Sequence, residues 1–175
     1  MIIKDNNFKV MKLFFDSPEK KFYLREISRA TGLSPPGVLK IVRRLEKEGL
    51  LFRERTKVVG NISANKNEKF FCLKRCYNLF MLFDSGLVKF LRDAYEEPEA
   101  IIVFGSYARG EDISTSDVDI AIITKKKVDL DVKKFERILK KRISVYEVEL
   151  SECKAEFLNN LANGIVLYGA LEVVR

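Results

Sequence analysis

The most constraining feature of this sequence lies between residues 100 and 123, where two apolar stretches flank a polar loop. The first stretch, AIIVF at 100–104, has the composition and length of a short buried strand and runs directly into Gly105-Ser106. The second stretch, DVDIAII at 117–123, begins with alternating polar and apolar residues. The segment therefore predicts two strands and places a Gly-Ser turn beside a pair of carboxylates.

Asp117 and Asp119 are predicted to point to the same side of the second strand, because successive side chains of a strand alternate between its two faces. Two like charges at such positions repel each other, so a compensating cation is expected nearby. Mg²⁺ prefers oxygen ligands and is commonly held by one or two carboxylates together with substrate phosphates. The pair is therefore a candidate site for a divalent metal.

Gly105 and Ser106 have the properties of a phosphate-binding turn. Glycine lets the backbone approach a ligand closely, and free N–H groups at the start of a helix attract an anion. The hydroxyl of Ser106 adds a further hydrogen-bond donor. These two residues therefore predict a phosphate position beside the candidate metal site.

The segment FGSYARGEDISTSDVDIAII resembles the signature of the minimal nucleotidyltransferases in the DNA polymerase beta-like superfamily, which reads Gly-Ser, ten residues, Asp-x-Asp. In this chain the matching residues are Gly105, Ser106, Asp117 and Asp119. The family's frequent Ala-Arg-Gly and Ser-Asp contexts also match, at 108–110 and 116–117. The resemblance extends over roughly 99–169.

The resemblance implies an α+β domain, with a small mixed sheet and flanking helices, that binds a nucleoside triphosphate, ATP in the first place. It also implies two divalent metal ions, Mg²⁺ or Mn²⁺, and transfer of a nucleoside monophosphate to an acceptor hydroxyl. The implied nucleotide-binding residues are Gly105, Ser106, Arg109 and Ser116, and the implied catalytic metal ligands are Asp117 and Asp119. Arg109 equally fits an ion pair with Glu111 or Asp112, and both alternatives stay open.

Some members of this superfamily act as antitoxins that adenylylate a partner toxin of the HEPN family, and others modify small molecules such as aminoglycosides. The resemblance therefore implies an antitoxin-like protein with a protein acceptor of the HEPN type as one alternative. The sequence itself names neither the acceptor nor the preferred nucleotide.

A third carboxylate usually completes the metal cluster in active relatives, and it comes from a later strand. Here that strand is ISVYEVEL at 143–150, and the usual acid position falls on or near Tyr146. By strand parity Glu147 and Glu149 lie on the opposite face, although a one-residue bulge would bring Glu147 to the site. We take Glu147 as the predicted third catalytic acid, and a solvated strand glutamate is the alternative.

The first half of the chain predicts two helices, a tight turn at Thr31-Gly32 and a third helix that starts at Ser34-Pro35-Pro36. The third helix, predicted to end near Glu48, has an apolar stripe and a cationic stripe on opposite sides. The cationic stripe consists of Lys40, Arg43, Arg44 and Lys47.

A β-hairpin is predicted next, with strands at 50–59 and 69–74 around a polar tip. Arg53, Arg55 and Lys57 alternate, so they leave the first strand on one face. The order of elements from 8 to 75 resembles a winged helix-turn-helix domain. The resemblance implies that the third helix enters the major groove of DNA and that the hairpin is a wing on the backbone, with all seven cations as candidate DNA contacts.

Charge supports this division of roles, because residues 1–78 carry 18 basic and 8 acidic side chains, whereas residues 79–175 carry 14 and 17. A net charge of +10 on one half suits a polyanion such as DNA. Histidine is absent from the sequence, which excludes histidine-dependent catalysis. Three cysteines, a short polar start and no long apolar run favour a cytoplasmic protein without a membrane partner.

We therefore predict an α+β protein with a winged helix-turn-helix domain at 1–78, a helical connector at 79–98 and a minimal nucleotidyltransferase domain at 99–175. One function consistent with this is a metal-dependent transferase tethered to DNA. The alternative is a transcriptional regulator whose transferase-like domain is degenerate and only senses nucleotide. Whether the chain forms a homodimer is left open.

Overall fold

A computed structural model of the protein describes residues 5–54 and 60–172. The chain divides into two compact units, Met1–Lys74 and Arg75–Arg175, and the boundary falls inside a long helix. The structure confirms the predicted α+β class, with a helix-turn-helix in the first unit and a larger sheet in the second.

Helices and a small sheet alternate in the first unit. Its elements are α1 (Asn6–Asp16), β1 (Phe22–Tyr23), α2 (Leu24–Thr31), α3 (Pro35–Lys47), β2 (Leu51–Arg53) and β3 (Asn61–Ala64). The three strands pair antiparallel in the order β1-β3-β2. The predicted sequence of two helices, a turn and a third helix is confirmed.

Local chemistry places the ends of these helices where the sequence predicted them. Helix α2 stops at Gly32, whose left-handed φ of 70° is readily adopted only by glycine. The side chain of Ser34 accepts a hydrogen bond from the backbone N–H of Gly37, and Pro35 follows at the first helical position of α3. Val38 and Val42, on the inner side of α3, are fully buried.

The predicted second wing strand at 69–74 is wrong, because these residues begin helix α4 (Glu68–Asp84). The side chain of Asn67 accepts a hydrogen bond from the backbone N–H of Phe70, at 2.9 Å, in the first turn of that helix. Phe70 is fully buried and packs against Phe15 with 5.4 Å between ring centroids. Burial of this ring in the core outweighs the preference of aromatic residues for strands.

The second unit carries a four-stranded mixed sheet with helices on both faces. Its further elements are α5 (Leu87–Ala94), β4 (Ala100–Phe104), α6 (Gly105–Arg109), β5 (Val118–Ile123), α7 (Lys133–Leu139), β6 (Ile143–Val148), α8 (Ala155–Ala162) and β7 (Ile165–Gly169). The strand order is β6-β5-β4-β7. Only β5 and β6 run parallel, and the other neighbours are antiparallel.

Both faces of this sheet are buried, which explains why its central strands read as nearly continuous apolar runs. Ile101, Val103 and Ile120 face one core together with residues of α5 and α7. Ile102 and Ala121 face the other core, which is covered by α8. Asp119 lies on this second face at the start of β5, and its side chain is half-buried.

Two helices of the second unit have well-defined ends. Helix α7 ends where Lys140 adopts a left-handed conformation with a φ of 55°. Helix α8 is preceded by a 3-10 turn at Leu150–Glu152. Within the described ranges, no helix combines the length and apolar character needed to cross a bilayer.

Candidate active site

The Gly-Ser turn and the aspartate pair meet at one end of the central sheet. Strands β4 and β5 are antiparallel with Phe104 opposite Asp119, so the last residue of β4 lies beside the start of β5. Gly105 follows directly, with a φ of 72°, and a Cβ placed on it would lie 2.8 Å from Asp119 Oδ2. The structure therefore places the backbone of the turn directly against a carboxylate.

Asp117 and Asp119 influence each other electrostatically. Partial burial raises the pKa of the Asp119 carboxyl, the negative charge of Asp117 raises it further, and a hydrogen bond from the Tyr146 hydroxyl opposes both. Asp117 itself is exposed just before β5. Neither carboxylate forms an ion pair with any residue that the structure describes. The pair is therefore a concentrated negative charge without a direct ion-pair partner among the described residues.

This pair of carboxylates fits a divalent cation that arrives together with a phosphate ligand. Among residues 5–54 and 60–172, no group of three or more histidine, cysteine, aspartate or glutamate side chains could hold a metal ion. Mg²⁺ is commonly bound by only one or two protein carboxylates, and substrate phosphates supply further oxygens. The residues present are thus sufficient for a metal bound with a nucleotide and too few for a fully protein-bound metal.

The structure corrects the role predicted for Glu147, because it does not bring this side chain to the aspartates. Strands β5 and β6 pair in an unbroken register with Ile122 opposite Glu147, and the bulge that the prediction required is absent from residues 143–148. Glu147 Oε1 instead accepts hydrogen bonds from the Tyr95 hydroxyl at 2.8 Å and from the backbone N–H of Val128 at 2.7 Å. Burial and this bond raise the pKa of Tyr95. Glu147 therefore stabilises the packing of Tyr95 and the loop at Val128 on the opposite face of the sheet.

Tyr146 occupies the position that faces Asp119 from the neighbouring strand. Its hydroxyl donates to Asp119 Oδ1 at 3.4 Å, a long hydrogen bond, and its ring packs near Phe104 and Phe157. The sequence placed the usual third acid on or near this residue, and the structure puts a phenol there. The described site therefore has two carboxylates and a tyrosine.

The remaining predicted nucleotide-binding residues lie on α6 and the loop that follows it. Arg109 forms an exposed ion pair with Glu111 at 2.7 Å, which is one of the two alternatives that the sequence left open. The hydroxyl of Ser116 accepts a hydrogen bond from the backbone N–H of Ile113 and so closes a turn before Asp117. The hydroxyl of Ser106 makes no hydrogen bond to the described part of the protein.

A buried polar network, which sequence reasoning missed, fixes the start of the loop that leads to Asp117. Asp112 is fully buried and its Oδ1 accepts a hydrogen bond from the Asn78 side chain at 2.7 Å. Lys141, with a side chain 6% exposed, lies 2.9 Å from Asp112 Oδ2 and also donates to the backbone carbonyl of Ile113. These partners are far apart in sequence, so no local pattern could have identified them.

In the first unit, helix α3 presents the predicted cationic stripe. Lys40, Arg43, Arg44 and Lys47 are all exposed. Arg53 is partly withdrawn from this surface, because its guanidinium lies 3.7 Å from the Glu46 carboxylate and both side chains are only partly exposed. The two further predicted wing cations, Arg55 and Lys57, lie outside the described residues.

A mixed sheet with a Gly-Ser turn against an aspartate pair defines the C-terminal unit as a nucleotidyltransferase-like domain. Residues 87–172 match the family model described as "Polymerase beta, Nucleotidyltransferase", and residues 24–51 match the model described as "Winged helix-turn-helix DNA-binding". The chain therefore joins a winged helix-turn-helix DNA-binding domain to a domain of the polymerase beta nucleotidyltransferase family. No curated protein matches it.

Gly105→Ala is expected to disturb the site more than its backbone strain alone would do. The substitution places a Cβ against Asp119 Oδ2 in addition to the cost of a left-handed alanine, about 1–2 kcal/mol. Gly86→Ala is the matched control, because Gly86 has a similar φ of 79° but open space around it. Both variants should lose stability in urea denaturation, and only Gly105→Ala should also weaken Mg²⁺-dependent nucleotide binding. Equal nucleotide affinity in the two variants would mean that the close approach of Gly105 to Asp119 has no role in nucleotide binding.

Proposed function

We propose that the C-terminal domain transfers a nucleoside monophosphate from a nucleoside triphosphate, in the first place ATP, to an acceptor hydroxyl in a reaction that depends on Mg²⁺ or Mn²⁺. The observation that carries this proposal is the close approach of the Gly105 backbone to Asp119, beside a second aspartate whose charge acts on the Asp119 carboxyl. This arrangement supports the simultaneous binding of a metal and a phosphate chain.

Each residue of the site has a specific role in this proposal. Gly105 allows the backbone to approach the triphosphate, and the Ser106 hydroxyl, which has no partner among the described residues, is available to donate to a phosphate oxygen. Asp117 and Asp119 hold the cation. A divalent metal bound there supplies charge stabilisation on phosphate oxygens and lowers the pKa of the attacking hydroxyl.

The experiment that tests this proposal uses the full chain with ATP labelled on the α-phosphate and Mg²⁺. Purified proteins, including a HEPN-type toxin, and pools of small hydroxyl compounds are offered as separate acceptors. Label is expected to move to one class of acceptor and to depend on Mg²⁺. Absence of both transfer and Mg²⁺-dependent ATP binding would overturn the proposal.

A second function is favoured by Tyr146 in the place of the third acid. In that case the domain binds nucleotide without transferring it, and the chain is a DNA-binding regulator that senses nucleotide. Mg²⁺-dependent ATP binding that alters DNA affinity, without transfer to any acceptor, would support this regulator.

Tyr146→Glu is expected to tighten Mn²⁺ binding by roughly tenfold, because a third carboxylate raises the negative charge of the ligand set. Tyr146→Gln is the control, since it has nearly the same size as glutamate but no charge. Mn²⁺ titration of both variants checks the result without needing an acceptor. If the two variants bind Mn²⁺ equally, position 146 does not face the metal.

We also propose that the winged helix binds duplex DNA through the exposed cations of α3. Lys40, Arg43, Arg44 and Lys47 share one side of this helix, and the opposite side is buried. All three cysteines are unpaired, which supports a reducing cytoplasm as the compartment. In this proposal the winged helix keeps the transferase domain at a DNA site.

Arg43→Ala combined with Arg44→Ala is expected to weaken duplex binding, because two phosphate contacts are lost. The slope of the logarithm of the binding constant against the logarithm of the salt concentration should become shallower by about two. Fluorescence anisotropy with labelled duplex at several salt concentrations measures both quantities. Arg137→Ala combined with Arg142→Ala removes the same charge from the second unit and serves as the control. Equal losses in the two double variants would contradict a role for α3.

A further inference from the structure

A cavity of about 720 Å³ lies beside Asp117, between the loop that precedes β5 and helix α7. Its lining residues are Ser114, Thr115, Ser116, Asp117, Lys133, Glu136, Arg137, Lys140, Lys141 and Arg142. Half of these side chains are basic and three carry hydroxyls, whereas only two are acidic. The cavity is therefore a strongly cationic concave surface in the half of the chain that carries a net negative charge.

Most of this positive charge is not used by the fold. Lys133, Arg137 and Arg142 form no ion pair with the residues at 5–54 or 60–172. Lys141 differs, because it is committed to buried Asp112. Cations gathered in a concave site attract anions more strongly than the same cations spread over a surface.

The walls of the cavity are held in place by hydrogen bonds. Lys141 ties α7's following turn to Asp112 and Ile113, and Glu136 Oε1 accepts from the backbone N–H of Ile143 at 3.1 Å. The carbonyl of Arg142 accepts from the backbone N–H of Val118 at 2.8 Å, which connects the cavity to the start of β5. A site whose side chains are already held in place before binding loses less conformational entropy when the ligand binds.

The composition of the walls indicates phosphate recognition in preference to base recognition. The described residues that line the cavity include no aromatic side chain on which a nucleobase could stack. Arginine side chains bind phosphate oxygens in pairs of parallel hydrogen bonds, and hydroxyls add single donors. The lining therefore suits phosphate groups.

The sheet order places this cavity opposite the Gly-Ser turn. Asp119 at the start of β5 is paired with Phe104 of β4 on one side, and Val118 is paired with Ile143 of β6 on the other. The turn follows Phe104, whereas the cavity is lined by the residue that precedes Ile143. In the order of the strands, the turn and the cavity therefore lie on opposite sides of β5.

Phosphoryl and nucleotidyl transfer place the attacking and leaving oxygens roughly in line on opposite sides of the phosphorus. If the triphosphate lies at Gly105 and Ser106, an acceptor held on the other side of β5 is compatible with this in-line arrangement. We propose that the acceptor carries a phosphate group, which the cavity binds through Lys133, Arg137 and Arg142. This inference rests on the proposed function, because it assigns the class of acceptor for the same site.

The reaction balances without any further reactant. The acceptor's hydroxyl oxygen forms a bond to the α-phosphorus, and the bond from that phosphorus to the bridging oxygen breaks. Pyrophosphate leaves with the electron pair, and the proton of the hydroxyl passes to solvent. The acceptor's own phosphate stays in the cavity and takes no part in bond formation.

The test compares two ligands on the full chain by titration calorimetry. The first is inorganic tripolyphosphate without metal or nucleotide, and the second is α,β-methylene ATP with Mg²⁺. Arg137→Ala combined with Arg142→Ala is expected to weaken tripolyphosphate binding by about tenfold, because two charge-assisted contacts are lost, and to leave binding of the ATP analogue within about twofold. Arg43→Ala combined with Arg44→Ala removes equal charge from the first unit and should not reproduce this pattern.

Two results would overturn the inference. If the double variant loses affinity equally for both ligands, the cavity holds the triphosphate of the nucleotide. If its affinity for tripolyphosphate is unchanged, the cavity holds no phosphate. If the double variant does not fold, Lys133→Ala at the start of α7 provides the same comparison. Because the tripolyphosphate arm contains neither metal nor nucleotide, it remains decisive even if the analogue fails to bind, a result that would instead count against the proposed function.

Discussion

Asp119→Asn is expected to reduce Mg²⁺-dependent nucleotide transfer by on the order of a hundredfold or more, since mutations of groups that only support metal ligands already cost about 10–100-fold. The amide keeps the size of the side chain but removes the charge that would hold the cation beside Gly105. Asp117→Asn should act in the same direction. Mg²⁺-dependent nucleotide affinity gives a second readout that needs no identified acceptor.

The same variant should not lose stability in the absence of metal. Burial and the charge of Asp117 raise the pKa of the Asp119 carboxyl, so ionised Asp119 is less favourable in the folded protein than in the unfolded chain. Removing this charge should therefore leave the melting temperature unchanged or raise it at neutral pH. The control is Asp129→Asn, an exposed aspartate in the loop before α7, which should leave transfer unchanged. Full transfer activity in both Asp117→Asn and Asp119→Asn would contradict the proposed metal site. The DNA affinity of all these variants should equal that of the unmodified protein.

Asp112→Ala is expected to lower the free energy of unfolding of the C-terminal unit by about 3–5 kcal/mol, because it leaves the charge of Lys141 buried without its partner. The two charged groups lie 2.9 Å apart, with Asp112 fully buried and the Lys141 side chain 6% exposed. The substitution also removes one of the two acceptors of the Asn78 side-chain amide, the other being the backbone carbonyl of Tyr107. Since folded domains are stable by only about 5–15 kcal/mol, the loss should be large in urea denaturation.

Glu111→Ala is the matched control for this prediction, because Glu111 precedes Asp112 in the chain but forms an exposed ion pair with Arg109. Exposed pairs typically contribute up to about 1 kcal/mol. Asp112→Ala combined with Lys141→Met should recover part of the lost stability, since the buried charge is then removed. If Asp112→Ala and Glu111→Ala destabilise equally, the buried network does not hold the loop before Asp117.

Several element boundaries were predictable because their signals are local. Gly32 and Ser34 mark the end of one helix and the start of the next through their own backbone and side-chain preferences. The apolar run at 100–104 and the pattern at 117–123 are strands in the structure because each residue contributes to a buried sheet. The antiparallel pairing of these strands, with Phe104 opposite Asp119, leaves the Gly-Ser turn close to the aspartates.

Two predictions failed where a local pattern was compatible with two structures. Residues 69–74 contain aromatic residues that suit a strand, but Phe70 gains more by entering the core of the first unit from a helix. Glu147 could have reached the site only through a bulge, and the regular pairing of β5 with β6 leaves it on the other face. In both cases contacts with residues distant in sequence determined which of the two structures formed.

The sequence by itself determined the two-unit organisation, the helix-turn-helix and the position of the Gly-Ser turn and the Asp-x-Asp pair at the ends of two strands, because turn chemistry and strand periodicity depend on neighbouring residues. Only the tertiary structure decided that Tyr146 faces Asp119, that Asp112 and Lys141 pair in the interior, and that Lys133, Arg137 and Arg142 line a cavity beside Asp117. These features arise from the register of β5 with β6 and from the packing of α7 against the sheet. Their physical basis is that burial and pairing energies depend on which distant segments meet, and no local pattern encodes that choice.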